Sequence, residues 1–326
     1  MTPPRRIPLA NLPTPLERAD RLSAAWGGPT IWIKRDDLTG FGMSGNKVRK
    51  LEYHLAAAID AGATTVITTG AAQSNHCRAT AIACARLGLR CLLYLRTPDG
   101  QPPRLLEGNH LLQRLAGAEP RFIDPTDYLQ RDLLMERAAA EIGEAWVIPE
   151  GASDPVGMWG FVSAMEEVTA QIDAVGARMK AIWHAAMSAG TTAGMAWGAS
   201  VLDMDVDVVG CAVGDSTREI DHHLRMILTE AVAAGAGPAP SERWQIVDDY
   251  IGAGYGIATP EELVVQVEAT RLTGLIFDPT YTGKAIYGLR REIESGRYQS
   301  GDNVIYWHTG GGFAAFAHDW DGVLSS

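Results

Sequence analysis

The sequence predicts an α/β protein of two open, twisted parallel-sheet domains that share a cleft. Three observations carry this expectation. Apolar runs rich in β-branched residues alternate with segments of helical apolar spacing, and the units recur at roughly 30-residue intervals, the length of a βαβ unit. Short connections at Gly70, Gly88, Gly151 and Gly190 punctuate them, with no low-complexity linker or internal repeat between. The 326 residues, 46% hydrophobic, suffice for two such domains.

In chain order, Thr30 to Lys34 is extended and a helix follows from Ser44, which suits the N-cap position. Val48, Leu51, Leu55, Ala58 and Ile59 form one apolar stripe on that helix, with Lys47 one turn before Leu51 on the same face. Thr65 to Thr68 is the next strand, then a helix from Ser74 and a strand from Cys91 to Leu95. Trp146 to Pro149, Ala181 to Met187, Val206 to Val213 and Asn303 to Trp307 supply the remaining strands.

The charge balance excludes several functions. With 28 basic against 39 acidic residues, a net charge of −11 and no basic block, binding to a nucleic-acid backbone has little to work with. The segment Met1-Thr-Pro-Pro-Arg-Arg-Ile7 lacks an apolar signal core and no run approaches a membrane span, so a cytoplasmic location is expected. Cys77, Cys84, Cys91 and Cys211 show no metal or C-x-x-C spacing and read as buried reduced thiols. His222 and His223 are adjacent rather than on one helical face, and no metal is expected.

Chemistry concentrates just after strands, where parallel sheets bind ligands, at Lys47, Ser74 and Ser188. Burial and the helix dipole would both depress the pKa of Lys47. A partly neutral lysine can act as nucleophile or base, as Schiff-base chemistry with an aldehyde cofactor requires; a snorkelling surface lysine is the alternative. Ser188, Ala189, Gly190, Thr191 and Thr192 read as a phosphate cup, with small residues admitting an anion to backbone N–H groups and hydroxyls adding donors. An ordinary glycine-rich turn has the same composition. Ser74 or Asn75 could equally cap the next helix. Tyr255, between Gly254 and Gly256, is poorly placed as a core anchor and suits substrate orientation. Asp36 and Asp37 are expected to pair with arginines or backbone, and His308 to be structural.

Seven segments in order carry a resemblance: Lys34-Arg-Asp-Asp37, Gly45-Asn-Lys-Val-Arg-Lys-Leu-Glu52, Gln73-Ser-Asn-His76, Ser188-Ala-Gly-Thr191, Gly254-Tyr-Gly256, Asp278-Pro-Thr-Tyr-Thr-Gly-Lys284 and His308-Thr-Gly-Gly311. With them the chain resembles the pyridoxal-phosphate enzymes of fold type II, the tryptophan synthase β-like group. Within it, the chain is similar to the D-cysteine desulfhydrase and 1-aminocyclopropane-1-carboxylate deaminase family through nearly its whole length. The resemblance implies pyridoxal 5'-phosphate in an interdomain cleft, a small domain of residues 46–165 inserted into a large one of 1–45 plus 166–326, and a homodimer acting on a small amino acid. It implies Lys47 as the Schiff-base lysine and Cα base, Ser74 facing the substrate, Asn75 at the cofactor's phenolic oxygen, Thr282 at its pyridine nitrogen, and Tyr255 with Tyr281 as active-site tyrosines. His76 matches the desulfhydrase branch.

The deaminase branch has glutamate where Thr282 stands. A threonine hydroxyl donating to a neutral ring nitrogen suits expulsion of a good β-leaving group better than ring opening; capping a helix that begins near Gly283 is the alternative role. The expected activity is therefore α,β-elimination, D-cysteine to pyruvate, ammonia and hydrogen sulfide. L-Cysteate elimination and aminocyclopropane carboxylate deamination are alternatives, and a non-catalytic cofactor-binding sensor is the reading from another class. The sequence departs from the family at Met43-Ser44-Gly45, where paired glycines are usual, and at Glu150-Gly-Ala-Ser-Asp154, which replaces Gly-Gly-Ser-Asn. Glu150 or Asp154 near the pocket would select a cationic or larger polar substrate; solvated loop charges are the alternative.

Overall fold

The computed structural model describes residues 3–324; Met1, Thr2, Ser325 and Ser326, within the expected large domain and the N-terminal segment, lie outside the described residues. Its strands are β1 (Leu16–Arg18), β2 (Thr30–Arg35), β3 (Thr65–Ala71), β4 (Arg90–Arg96), β5 (Glu119–Ile123), β6 (Ala145–Val147), β7 (Ala181–Ala186), β8 (Asp207–Ala212), β9 (Trp244–Val247) and β10 (Asn303–His308). They form two sheets, a six-stranded one in the order β1-β2-β10-β7-β8-β9 and a four-stranded one in the order β5-β4-β3-β6. All pairings are parallel except β1 with β2.

Central strands of parallel sheets bury both faces, which explains runs such as Ala181–Ala186 with no polar alternation. Successive residues serve opposite cores: Trp183, Val209 and Tyr306 pack on one side of the large sheet, and Ile182, Val208, Ile305 and Trp307 on the other. The small sheet divides likewise, with Val66 and Leu93 on one face and Ile67, Leu92 and Tyr94 on the other. Each such fully buried apolar side chain contributes about 1.5–3 kcal/mol. The four cysteines are free and buried.

Helix Lys47–Asp60 joins the two halves. Its Val48, Leu51, Leu55 and Ala58 are buried, whereas Ile59 at the end of the stripe is 39% exposed. Close approach fixes its position against helix Trp159–Val175: a Cβ on Gly160 would lie 2.5 Å from the Arg49 carbonyl. A buried ion network adds to this, with Arg49 on Asp36 (2.8 Å) and Glu167 (3.0 Å), and Lys34 also on Glu167. Asp37 pairs with Arg35. Among the described residues no helix is long and apolar enough to cross a membrane.

Candidate active site

The carboxyl ends of β3, β6, β7, β8 and β10 all deliver residues to one cavity of about 440 Å³, the place where parallel sheets expose backbone groups to a ligand. Lys47, Ser74, Asn75, Tyr255 and Tyr281 line it, as do Ser188, Ala189, Thr191 and Thr192. Gly190 and Thr282 do not; they stand behind the wall. His308 stays structural, its ring between Ile276 O and the Gly310 N–H.

Lys47 is the first residue of its helix. The N-cap is Asn46, without a side-chain cap bond, and not Ser44, whose hydroxyl is spent on Asp37 O at 2.7 Å in the preceding turn. Lys47 is half-buried and faces the cavity. Desolvation pulls its pKa down to about 8, against an upward pull from Glu150. Among the described residues nothing hydrogen-bonds its Nζ, so the amine is free to react.

Ser74 does cap helix Asn75–Leu87, accepting from Cys77 N at 3.2 Å, and it lines the cavity as well, so capping and a site role coincide. Asn75 Oδ1 is fixed by Asn109 at 2.9 Å. His76 is buried, tied by Nε2 to Thr68 at 2.8 Å, while its Nδ1 has no partner among the described residues. Burial lowers the His76 pKa, and Lys47 and Lys50 lower it further.

The residues expected to cup a phosphate lie at the start of helix Gly190–Val201, after Ala189 in a left-handed conformation (φ 62°). Ser188 Oγ meets Ser153 Oγ at 2.7 Å and Asn46 donates to Thr191 Oγ1 at 3.3 Å. Thr192 is less available, its hydroxyl lying 3.2 Å from His184 Nε2. Lys50 supplies the decisive feature: fully buried, among the described residues it reaches only Gly151 O and Ser153 Oγ, each at 3.2 Å, and no carboxylate there hydrogen-bonds it. Burial drives its pKa well down and Lys47 adds to this, with Asp154 opposing. A buried amine beside a helix N-terminus asks for an anion, so these residues fit a phosphate group. A Cβ on Gly190 would stand 2.8 Å from Lys50 Nζ, so this cradle needs a glycine there. Lys50 was not singled out from the sequence, although its spacing of three from Lys47 places both on one face.

Tyr255 and Tyr281 meet phenol to phenol at 2.9 Å. Burial raises Tyr255 to about 12 despite the bond from Tyr281, and burial with the Tyr255 neighbour raises Tyr281 well above its ordinary value. Helix Thr282–Glu294 begins at Thr282, and Asp278 rather than Thr282 caps it: Oδ1 accepts from Thr282 N and Oγ1, Oδ2 from Thr280 N and Tyr281 N. The Thr282 hydroxyl hydrogen thus goes to Asp278, not into the cavity.

Glu150 and Asp154 both line the cavity, with side chains 35% and 26% exposed. Glu150 accepts from the Tyr128 hydroxyl at 2.6 Å and pairs with Arg131 at 3.4 Å. Asp154 is held by His54 (3.0 Å) and Gly157 N (2.7 Å); burial alone would raise its pKa, but these partners bring it below the ordinary value. Among the described residues no group of His, Cys, Asp and Glu is arranged to hold a metal ion.

The sequence profile of pyridoxal-phosphate dependent enzymes matches residues 7–310. The chain is 40% identical, over 96% of its length and 98% of the relative's, to a Thermotoga maritima protein provisionally named 1-aminocyclopropane-1-carboxylate deaminase. It is 37% identical, over 96% of each chain, to a D-cysteine desulfhydrase of Salmonella typhi. A crystal structure described as an ACC deaminase homologue superposes with a TM-score of 0.90 at 35% identity, covering 99% of this chain and 96% of that one.

Proposed function

The chain belongs to the pyridoxal-phosphate dependent enzyme family, and on that premise we propose that it catalyses α,β-elimination from a β-substituted amino acid, D-cysteine first, giving pyruvate, ammonia and hydrogen sulfide. The observation that carries this reading is the convergence of Lys47, Ser74 and the Tyr255–Tyr281 pair on one cavity. Lys47 is the residue to hold the cofactor's aldehyde, the Ser188–Thr192 turn with Lys50 its phosphate and Asn75 its phenolic oxygen, while Thr282, behind the cavity wall with its hydroxyl on Asp278, offers the ring nitrogen no free donor. Bound there, pyridoxal phosphate supplies the electron sink that makes the substrate's Cα proton removable.

The chain's own residues do the rest. The Lys47 amine, with a pKa of about 8, is matched to taking the Cα proton. Ser74 and the first N–H groups of its helix suit the substrate carboxylate. The phenol pair stays protonated at neutral pH and can pass a proton to the departing thiolate. D-Cysteine and water balance pyruvate, ammonia and hydrogen sulfide without an oxidant. No free acid stands at position 282, since Thr282 is committed to Asp278 and four donors occupy that carboxylate; this favours a substituent that leaves readily.

Deamination of aminocyclopropane carboxylate is the second reading, favoured by the naming of the Thermotoga relative. We also read residues 46–165 as the small domain, supported by the confinement of β3–β6 to that span. A cytoplasmic location is supported by four reduced cysteines. A homodimer is supported by the exposed Phe41 (86%) and Phe316 (77%), with Phe313 edge-on to Phe41.

Keto-acid release across D-cysteine, L-cysteine, β-chloro-D-alanine, L-cysteate and aminocyclopropane carboxylate tests the proposal. Pyruvate with sulfide from D-cysteine is expected, and Lys47→Ala should abolish both turnover and the borohydride-stable attachment of cofactor to this residue. Oxobutyrate from the cyclopropane alone would favour the second reading. Silence across the panel, or turnover by Lys47→Ala, would sink the elimination chemistry.

A further inference from the structure

We propose that Lys284 is the positioning residue of the phenol pair: its ammonium ties down both ends of the loop that carries Tyr255 and so fixes that hydroxyl against Tyr281. The inference rests on the reading of Tyr255 and Tyr281 given under Proposed function. Lys284 is fully buried and lies outside the cavity wall, in the first turn of helix Thr282–Glu294, three residues after Tyr281. Its Nζ donates to Ile251 O and, at 2.8 Å, to Ile257 O, with Glu262 Oε1 at 3.5 Å.

Between those two carbonyls the chain turns through Gly252, Gly254 and Gly256, at φ of 65°, 123° and 75°. Glycine alone visits such conformations readily, so this stretch is also the one with most freedom to lose. Its internal backbone bonds are two long ones, Gly254 N to Ile251 O at 3.4 Å and Ile257 N to Gly254 O at 3.2 Å. Left to itself, a loop so built would not hold a phenol at 2.9 Å from its partner. The ammonium grips it at both ends, and because Lys284 and Tyr281 leave adjacent turns of one helix start, the same contact sets the spacing of the two hydroxyls. Glu262 completes the clamp. One oxygen approaches Lys284, offsetting its buried charge, while the other accepts Thr259 N at 2.7 Å in the capping box where the loop enters helix Pro260–Thr273.

The test is a double-mutant cycle on the holoenzyme between Lys284→Met and Tyr255→Phe, with amide hydrogen exchange across residues 251–257 as a readout independent of activity. The expected result is faster exchange in that loop, a fall of about 10²-fold in kcat/KM for Lys284→Met as for a mispositioned group, and little further fall in the double variant. Unchanged loop exchange, or losses that simply multiply, would overturn the proposal. Faster exchange together with a Tyr255→Phe enzyme of wild-type activity would retain the tether and overturn instead the role of Tyr255 in the reaction. Should Lys284→Met fail to fold because Glu262 is left buried and unpaired, Lys284→Met/Glu262→Gln removes that penalty and is judged by the same criteria.

Discussion

At Lys47 two influences of opposite sign meet. Burial lowers its pKa and Glu150 raises it, with a net value of about 8 against 10.5 for the ordinary side chain. At pH 7 about a tenth of the amine is then neutral, against roughly one part in 3,000 at the ordinary value. Only the neutral amine attacks an aldehyde, so capture of pyridoxal phosphate by the cofactor-free protein should accelerate as pH rises and level off above about 8. Because Glu150 favours the charged form, Glu150→Gln should move that midpoint to lower pH. Stopped-flow capture rates across pH check both statements, and a midpoint near that of a free lysine would refute the burial argument. The placement of Lys47 was legible in the sequence, since an inward stripe turns it toward the cavity. Its neighbour Lys50 was not, because a buried lysine open to an anion is recognised by having no carboxylate hydrogen-bonded to it among the described residues, and that is a property of packing.

The same division runs through the elements. The central strands β4, β7, β8 and β10 were readable because strands buried on two faces carry long apolar runs, and β2 and β3 because they are rich in β-branched residues. The strands that escaped notice, β1, β5 and β9, are all at sheet edges. An edge strand has less to bury, so Glu119–Ile123 carries charged side chains and a proline, and Trp244–Val247 is buried at only two of its four residues. The start of helix Gly190–Val201 was readable as an anion site from composition alone, but its demand for glycine at position 190 comes from Lys50 and Ser153 on other segments. Gly190→Ala places a methyl group 2.7 Å from Ser153 Oγ and 2.8 Å from Lys50 Nζ. Because the methyl group would also lie 2.8 Å from Ser153 Cα, the Ser153 segment must shift with it, and the variant should bind pyridoxal phosphate at least about tenfold more weakly. Fluorescence titration of cofactor into both proteins measures this; equal affinities would mean that the phosphate lies elsewhere.

On the scale of the whole molecule, the cavity shares the acidity of the chain, whose net charge is −11. Asp132, Glu150, Asp154, Asp215 and Glu230 line it against Arg131 and Lys47. Asp154 is compensated by His54, but Asp215, half-buried, has no hydrogen-bond partner among the described residues; burial raises its pKa, with Glu219 and Glu150 adding to the effect. The field inside the cleft therefore opposes a second negative charge on the substrate, and low-dielectric walls keep it from being screened away. A neutral thiol enters without that cost, whereas the sulfonate of L-cysteate brings a full charge to the wall that Glu150 anchors. L-Cysteate should thus be turned over far less well than D-cysteine, and Glu150→Gln should raise kcat/KM for the sulfonate by about tenfold, equivalent to about 1.4 kcal/mol, while changing that for D-cysteine less. Parallel kinetics of the two substrates on the two proteins decide the matter. If the variant leaves the ratio of their kcat/KM values unchanged, the acidic wall plays no part in selection and the preference must come from the shape of the cavity around Ser74 and the tyrosine pair.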